Sequence, residues 1–175
     1  KYYLARIETR YLAPIRAIEK NDNYEGAGFS VVALFCTLVE FLESCEQGHN
    51  FHILKAGEVR KPFTYGPRKA AKYFEAFFRR RAPFNKLMPS QLAESFNYDV
   101  RCGLMHEART KEGWQISARY SHGVLVRKEG ATVTLYRNRI LTALAEYFAD
   151  YRKRLLSKKR SQTAFLRKLD HLAKA

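Results

Sequence analysis

Residues 31–42, Val-Val-Ala-Leu-Phe-Cys-Thr-Leu-Val-Glu-Phe-Leu, are apolar nearly all round a helical projection. A helix formed there is satisfied only when other elements cover every side, so it marks the centre of a helical fold. Its longest apolar stretch, 31–38, has eight residues, well short of the roughly 18 a membrane span needs. No secretory leader is visible, and no membrane partner is expected. Glu40 interrupts the run. Such a residue either rotates to the solvent edge or waits, half-buried, for an arginine.

The rest of the chain supplies cover for that helix. Residues 2–20 place Leu4, Ile7, Tyr11, Ile15 and Ile18 at three- and four-residue steps, the period of an amphipathic helix that Pro14 kinks or divides. After a loop at 21–28, Ser30 is read as the cap of the central helix and Gly48 as its stop. Residues 49–66 read as a long connection with one short extended piece. Pro67 suits the first turn of a helix reaching Arg81 that buries Ala70, Tyr73, Phe74, Phe77 and Phe78. A further helix follows Pro89 over about 91–108, with Ser90 as its cap. The period then changes: 114–120 and 123–136 look extended, and Lys128-Glu129-Gly130-Ala131 makes a hairpin turn. A last helix starts near Asn138. Its first half carries Ile140, Leu141, Leu144, Tyr147, Phe148 and Tyr151, and its basic second half is read as projecting or frayed. The fold class is therefore mainly α, a bundle with a β-hairpin (114–136) between its last two helices. Residues 1–151 form the domain and 152–175 a basic helical extension.

At 175 residues the chain has room for one proper core. Its 32 Lys and Arg against 17 Asp and Glu leave +15, with a pI near 9.9, the electrostatic footprint of a polyanion binder. A basic surface facing an acidic partner fits the same count. Cys36, Cys45 and Cys102 form no CxxC pair, which points to a reducing, cytoplasmic compartment. His49 and His52 have no cysteine pair nearby to complete a zinc site, so neither metal nor cofactor is expected.

The chemistry-bearing stretch is Phe96-Asn97-Tyr98-Asp99-Val100-Arg101-Cys102-Gly103-Leu104-Met105-His106-Glu107-Ala108. At roughly 100° per residue, Ala93, Phe96, Val100 and Leu104 form a core stripe. The opposite half carries Asn97, Tyr98, Arg101, Cys102, Met105, His106 and Arg109. Arg101 and His106 are five apart, about 140° around the axis, so one helix brings them together poorly. Two copies meeting across a two-fold axis would gather two arginines and two histidines in one cleft. An imidazole that titrates near neutrality can move protons, and a guanidinium can stabilise a phosphorane, which suits RNA transesterification. On spacing alone, the same pair is also readable as a surface arginine and a histidine set against a helix dipole.

This segment resembles the R-x4-6-H signature of the HEPN superfamily, small helical bundles many of which are ribonuclease toxins or effectors of prokaryotic conflict systems. The motif helix carries the likeness; the rest of the chain agrees in the order of its helices. The resemblance implies metal-independent RNA cleavage at a homodimer interface, with Arg101 and His106 at the catalytic positions. Cys102 stands where the family often has a polar residue. Ala108 stands where members silenced by nucleotidylation carry tyrosine, so that mode of neutralisation is not expected.

Around this pair, Asn97, Tyr98, Arg109 and Lys111 are read as RNA-binding and Glu40 as the residue that orients the arginine. Arg127, Lys128, Arg137 and Arg139 could extend a basic strip. The runs Arg152-Lys153-Arg154 and Lys158-Lys159-Arg160 are either a solvated face or an electrostatic funnel. His52, His122 and His171 receive no role. The leading expectation is a metal-independent endoribonuclease, a toxin or antiviral-defence effector with an antitoxin or defence-complex partner. The alternative is a non-catalytic RNA-binding or scaffold subunit of a larger complex, which the start at Lys1 rather than Met also fits.

Overall fold

The computed structural model describes residues 2–21, 25–119, 121 and 123–174. The chain is mainly helical, and its organising element is α3 (Ala27–Gln47). Val31, Val32, Phe35, Leu38, Val39 and Leu42 on this helix are fully buried, each worth on the order of 1.5–3 kcal/mol. By length and composition alone, α3 could cross a bilayer; here more than half of its most apolar window lies under neighbouring elements. Ser30 proves to be an exposed residue inside the helix, whose N-cap is Gly26. Gly48 ends it in the left-handed region at φ +66°.

The N-terminal arm is α1 (Tyr2–Ile7), a π-helical turn at Glu8–Leu12, and α2 (Ala13–Lys20). The wide turn lies just ahead of Pro14, whose missing N–H and ring would otherwise meet the preceding turn of an α-helix. Proline is thus absorbed without a break. The extra residue per turn also shifts the buried stripe: Tyr3, Ile7 and Ile15 are buried, while Leu4 is 62 % exposed.

Between α3 and α4 (Ala70–Arg80), the long connection contributes two short parallel strands, β1 (Asn50–Phe51) and β2 (Thr64–Tyr65). Helix α4 buries the five residues its spacing marked. Phe35 packs against Phe78, Phe84 and Phe96 with ring centroids 5.7–6.4 Å apart. A short α5 (Phe84–Leu87) brings Phe84 into that cluster.

The motif region is segmented where the sequence reads as one helix. A 3-10 turn at Ser90–Leu92 leads into α6 (Ala93–Ser95), a π-helical segment at Phe96–Arg101, and α7 (Cys102–Glu107). No side-chain cap forms at its start, so Ser90 does not act as one.

Three strands follow: β3 (Trp114–Ser117), β4 (Val126–Glu129) and β5 (Thr132–Tyr136). The hairpin is β4–β5 alone, antiparallel, and β3 adds to the other edge of β5 in parallel. Of the extended run read through 120, residue 120 lies outside the described residues, as does His122. Trp114 joins this sheet to the bundle, edge-on to Phe96 at 5.6 Å.

The C-terminal part is two helices, α8 (Ile140–Ser157) and α9 (Lys159–Lys174), hinged at the extended residue Lys158 (φ −120°, ψ 111°). Far from projecting, α9 lies across α3, burying Ala164 and Lys168. Gly48 makes that crossing feasible: a Cβ there would stand 2.8 Å from the Cα of Ala164.

Candidate functional site

Arg101 is the last residue of the π-helical segment, and its guanidinium reaches toward α3. Nη2 lies 4.0 Å from Oε2 of Glu40, the two side chains being 28 % and 20 % exposed. The embedded carboxylate of the central helix thus meets an arginine at the half-buried edge. Tyr65 of β2 donates its hydroxyl to the other Glu40 oxygen at 3.2 Å. Burial first, and then the adjacent Glu40 carboxylate, push the Tyr65 phenol far up, keeping it a neutral donor.

These groups line a cavity of about 570 Å³ that also contains Cys36, Met105 and Lys168. Lys168 is 5 % exposed, donates to the backbone oxygen of His49 at 3.1 Å, and lies 5.6 Å from the centroid of the Phe41 ring. Burial lowers its pKa, an effect opposed by Cys45 and Glu40. The cavity therefore holds one carboxylate against two cations. Lys168 and Tyr65 were not singled out from sequence, yet Lys168 leaves a trace there. It falls on the same helical stripe as Ala164, Phe165, Leu169 and Leu172, a lysine where apolar residues belong.

His106 sits in the last turn of α7, exposed, and does not line the Arg101 cavity. The helix ends one residue later, with Ala108 in the left-handed region at φ 53°. Residues after it fold back over Gly103, where a Cβ would stand 2.4 Å from the Arg109 carbonyl oxygen. Within one chain, then, Arg101 and His106 occupy different surroundings.

The proposed RNA contacts separate into three kinds. Tyr98 is 54 % exposed on the motif face, as is Met105 at 58 %. Asn97, placed on the open half by a regular helical projection, is instead 4 % exposed, and its Oδ1 has no hydrogen-bond partner. The π-helical turn causes this: each turn takes one more residue, side chains advance by less than 100°, and position 97 swings inward. Arg109 and Lys111 are both engaged by Glu107, Arg109 through Nη2 at 3.1 Å. That double contact holds the Glu107 carboxyl below its ordinary range, Lys111 contributing most.

The strip read across the hairpin is largely spoken for. Arg137 is 5 % exposed with Glu19 at 3.7 Å, Arg139 pairs with Glu146 at 2.7 Å, and Arg127 has Glu129 at 3.7 Å. Lys128 is exposed. His52 bonds Glu58 at 2.7 Å. Among the described residues, no three His, Cys, Asp or Glu side chains cluster as metal ligands. No family model, curated protein or solved structure matches this chain.

Proposed function

We propose that the chain is a metal-independent endoribonuclease of HEPN type, active as a homodimer whose motif faces meet. The observation that carries the reading is the placement of Arg101: a guanidinium at a cavity edge, oriented by Glu40, with 28 % of its side chain open and the exposed His106 five residues further on. Because His106 lies off that cavity, a second copy is needed to complete the site. Tyr98 and Met105, both more than half exposed on this face, supply apolar surface for such a seam.

In the reaction, one His106 takes the proton of a ribose 2′-hydroxyl as that oxygen bonds to the adjacent phosphorus. The P–O5′ bond breaks, and His106 of the second copy returns a proton to the departing 5′-oxygen. Arg101 donates to the non-bridging oxygens as negative charge builds on them. The products are a 2′,3′-cyclic phosphate and a 5′-hydroxyl. The unpaired cysteines fit a cytoplasmic setting, and a toxin or defence effector is the biological role that suits such an activity.

The test is cleavage of RNA by the purified chain in excess chelator, with end-group analysis of the fragments. His106→Ala and Arg101→Ala should each lower the rate by about 10²-fold or more. Undiminished cleavage by His106→Ala, or loss of wild-type cleavage on chelation, overturns the proposal. Salt-sensitive RNA binding with no cleavage by any of the three proteins would establish instead a non-catalytic RNA-binding subunit. That second reading is favoured by the separation of His106 from the Arg101 cavity within one chain.

A further inference from the structure

A larger cavity, of about 940 Å³, opens where α8 and α9 meet at Lys158. Its floor is neutralised. Glu43 is fully buried and accepts two hydrogen bonds from Arg81, from Nε and Nη2, both 2.7 Å. Glu46 accepts from Arg154 Nη1 and Nη2 at 2.6 and 2.7 Å, and from the Tyr147 hydroxyl at 2.9 Å. Both carboxylates are saturated by these partners and have little left to offer other cations.

The rim is different. Arg80, Lys158, Lys159, Arg160 and Arg167 line the cavity, and none of the five pairs with a carboxylate among the described residues. Arg167 lies over the Phe63 ring, 3.5 Å from its centroid. The first turn of α9 carries no acidic residue, so its basic residues add to the positive helix end rather than offset it. A flexible tail would disperse such charges, but this elbow is pinned at both ends. Arg154 ties α8 to Glu46, and Ala164 seats α9 against Gly48.

Like charges held together around a concave, walled space form a preorganised anion site. Charge density selects among anions. Internal phosphodiesters of a nucleic acid carry one charge each and are spaced by riboses, whereas linked phosphates bring several charges into one small volume, as five neighbouring cations require. Phe63, 49 % exposed at the rim, holds the Arg167 guanidinium in place over its ring.

We infer that the α8–α9 elbow is a binding site for a run of linked phosphates, presented by a free nucleoside triphosphate or by the 5′-triphosphate end of an RNA. This site is separate from the Arg101 cavity and does not depend on the nuclease reading.

The test is calorimetry on the intact chain with inorganic tripolyphosphate, ATP, and matched oligoribonucleotides bearing 5′-triphosphate or 5′-hydroxyl ends. Tripolyphosphate should bind. The double variant Lys159→Gln, Arg160→Gln should weaken it by about ten-fold or more, and so should Arg80→Gln at the end of α4. All three positions are exposed, so the fold should survive these changes. Tighter binding of ATP would identify the free nucleotide as the source, and tighter binding of the 5′-triphosphate RNA the transcript end; either sustains the site. No binding of tripolyphosphate, unchanged affinity in the variants, or equal competition by 5′-hydroxyl RNA overturns it. Arg101→Ala should bind tripolyphosphate like the parent, so failure of the nuclease reading and failure of this one are separable.

Discussion

Glu40 of α3 and Arg101 of the motif segment face each other across 4.0 Å, with Tyr65 donating to the carboxylate from its other side. At that distance the pair is an ion pair at the margin of contact rather than a bidentate clamp. On the proposed nuclease reading, Glu40 biases the direction of the guanidinium without consuming its donors, leaving them for a phosphate. Glu40→Gln should preserve RNA binding but lower the single-turnover cleavage rate by about 10- to 100-fold through misplacement of Arg101. Parallel losses of affinity and rate would mean that Glu40 supports the fold rather than the arginine.

Glu107 restrains two cations beside His106. In Glu107→Gln, Arg109 and Lys111 lose their shared carboxylate and become free for phosphates. RNA affinity should rise several-fold, with a salt dependence steeper by roughly one to two in the log–log slope. Unaltered affinity and slope in filter binding across salt concentrations would remove both residues from the RNA surface.

Removing one partner from the buried acid–arginine cluster orphans a charge. Arg81→Met leaves Glu43, with no exposed surface, without its bidentate partner, a change that costs about 3–5 kcal/mol. Combining it with Glu43→Leu should recover much of the loss, because the orphaned charge disappears. Urea denaturation of the parent, the single variant and the double variant measures both effects.

His49 gives stability a dependence on acid. Burial lowers its pKa below the ordinary 6.5, helped by Arg167, Lys69 and Lys168, while Nδ1 bonds the Tyr73 hydroxyl at 2.7 Å. The unfolded chain therefore takes up the proton more readily than the folded one. Stability is unaffected well above pH 6.5, falls as the pH drops through the unfolded value, and levels off below the folded one. Urea midpoints measured from about pH 7.5 to about pH 5.5 should fall for the parent, with that fall reduced in His49→Gln.

Composition and periodicity determined a good deal. The all-round apolar 31–42 run marked a helix that needs cover on every side, and the Tyr73, Phe74, Phe77 and Phe78 stripe marked an element able to supply it, because apolar area has to leave water; that the cover is protein was decided by the packing. Gly48 as a stop, the 128–131 turn, and the +15 charge likewise follow from residue chemistry alone. What only the tertiary structure decided is which side chains share a space. The π-helical turns before Pro14 and within the motif change the angular step, so a regular projection exposes Asn97 when packing buries it. The partner of Glu40, the seating of α9 on Gly48, and the gathering of Arg80 with Lys158–Arg160 join residues dozens of positions apart. Periodicity reports the direction of one helix face. Contacts between faces depend on how helices cross, and that is set by the summed packing of the whole chain.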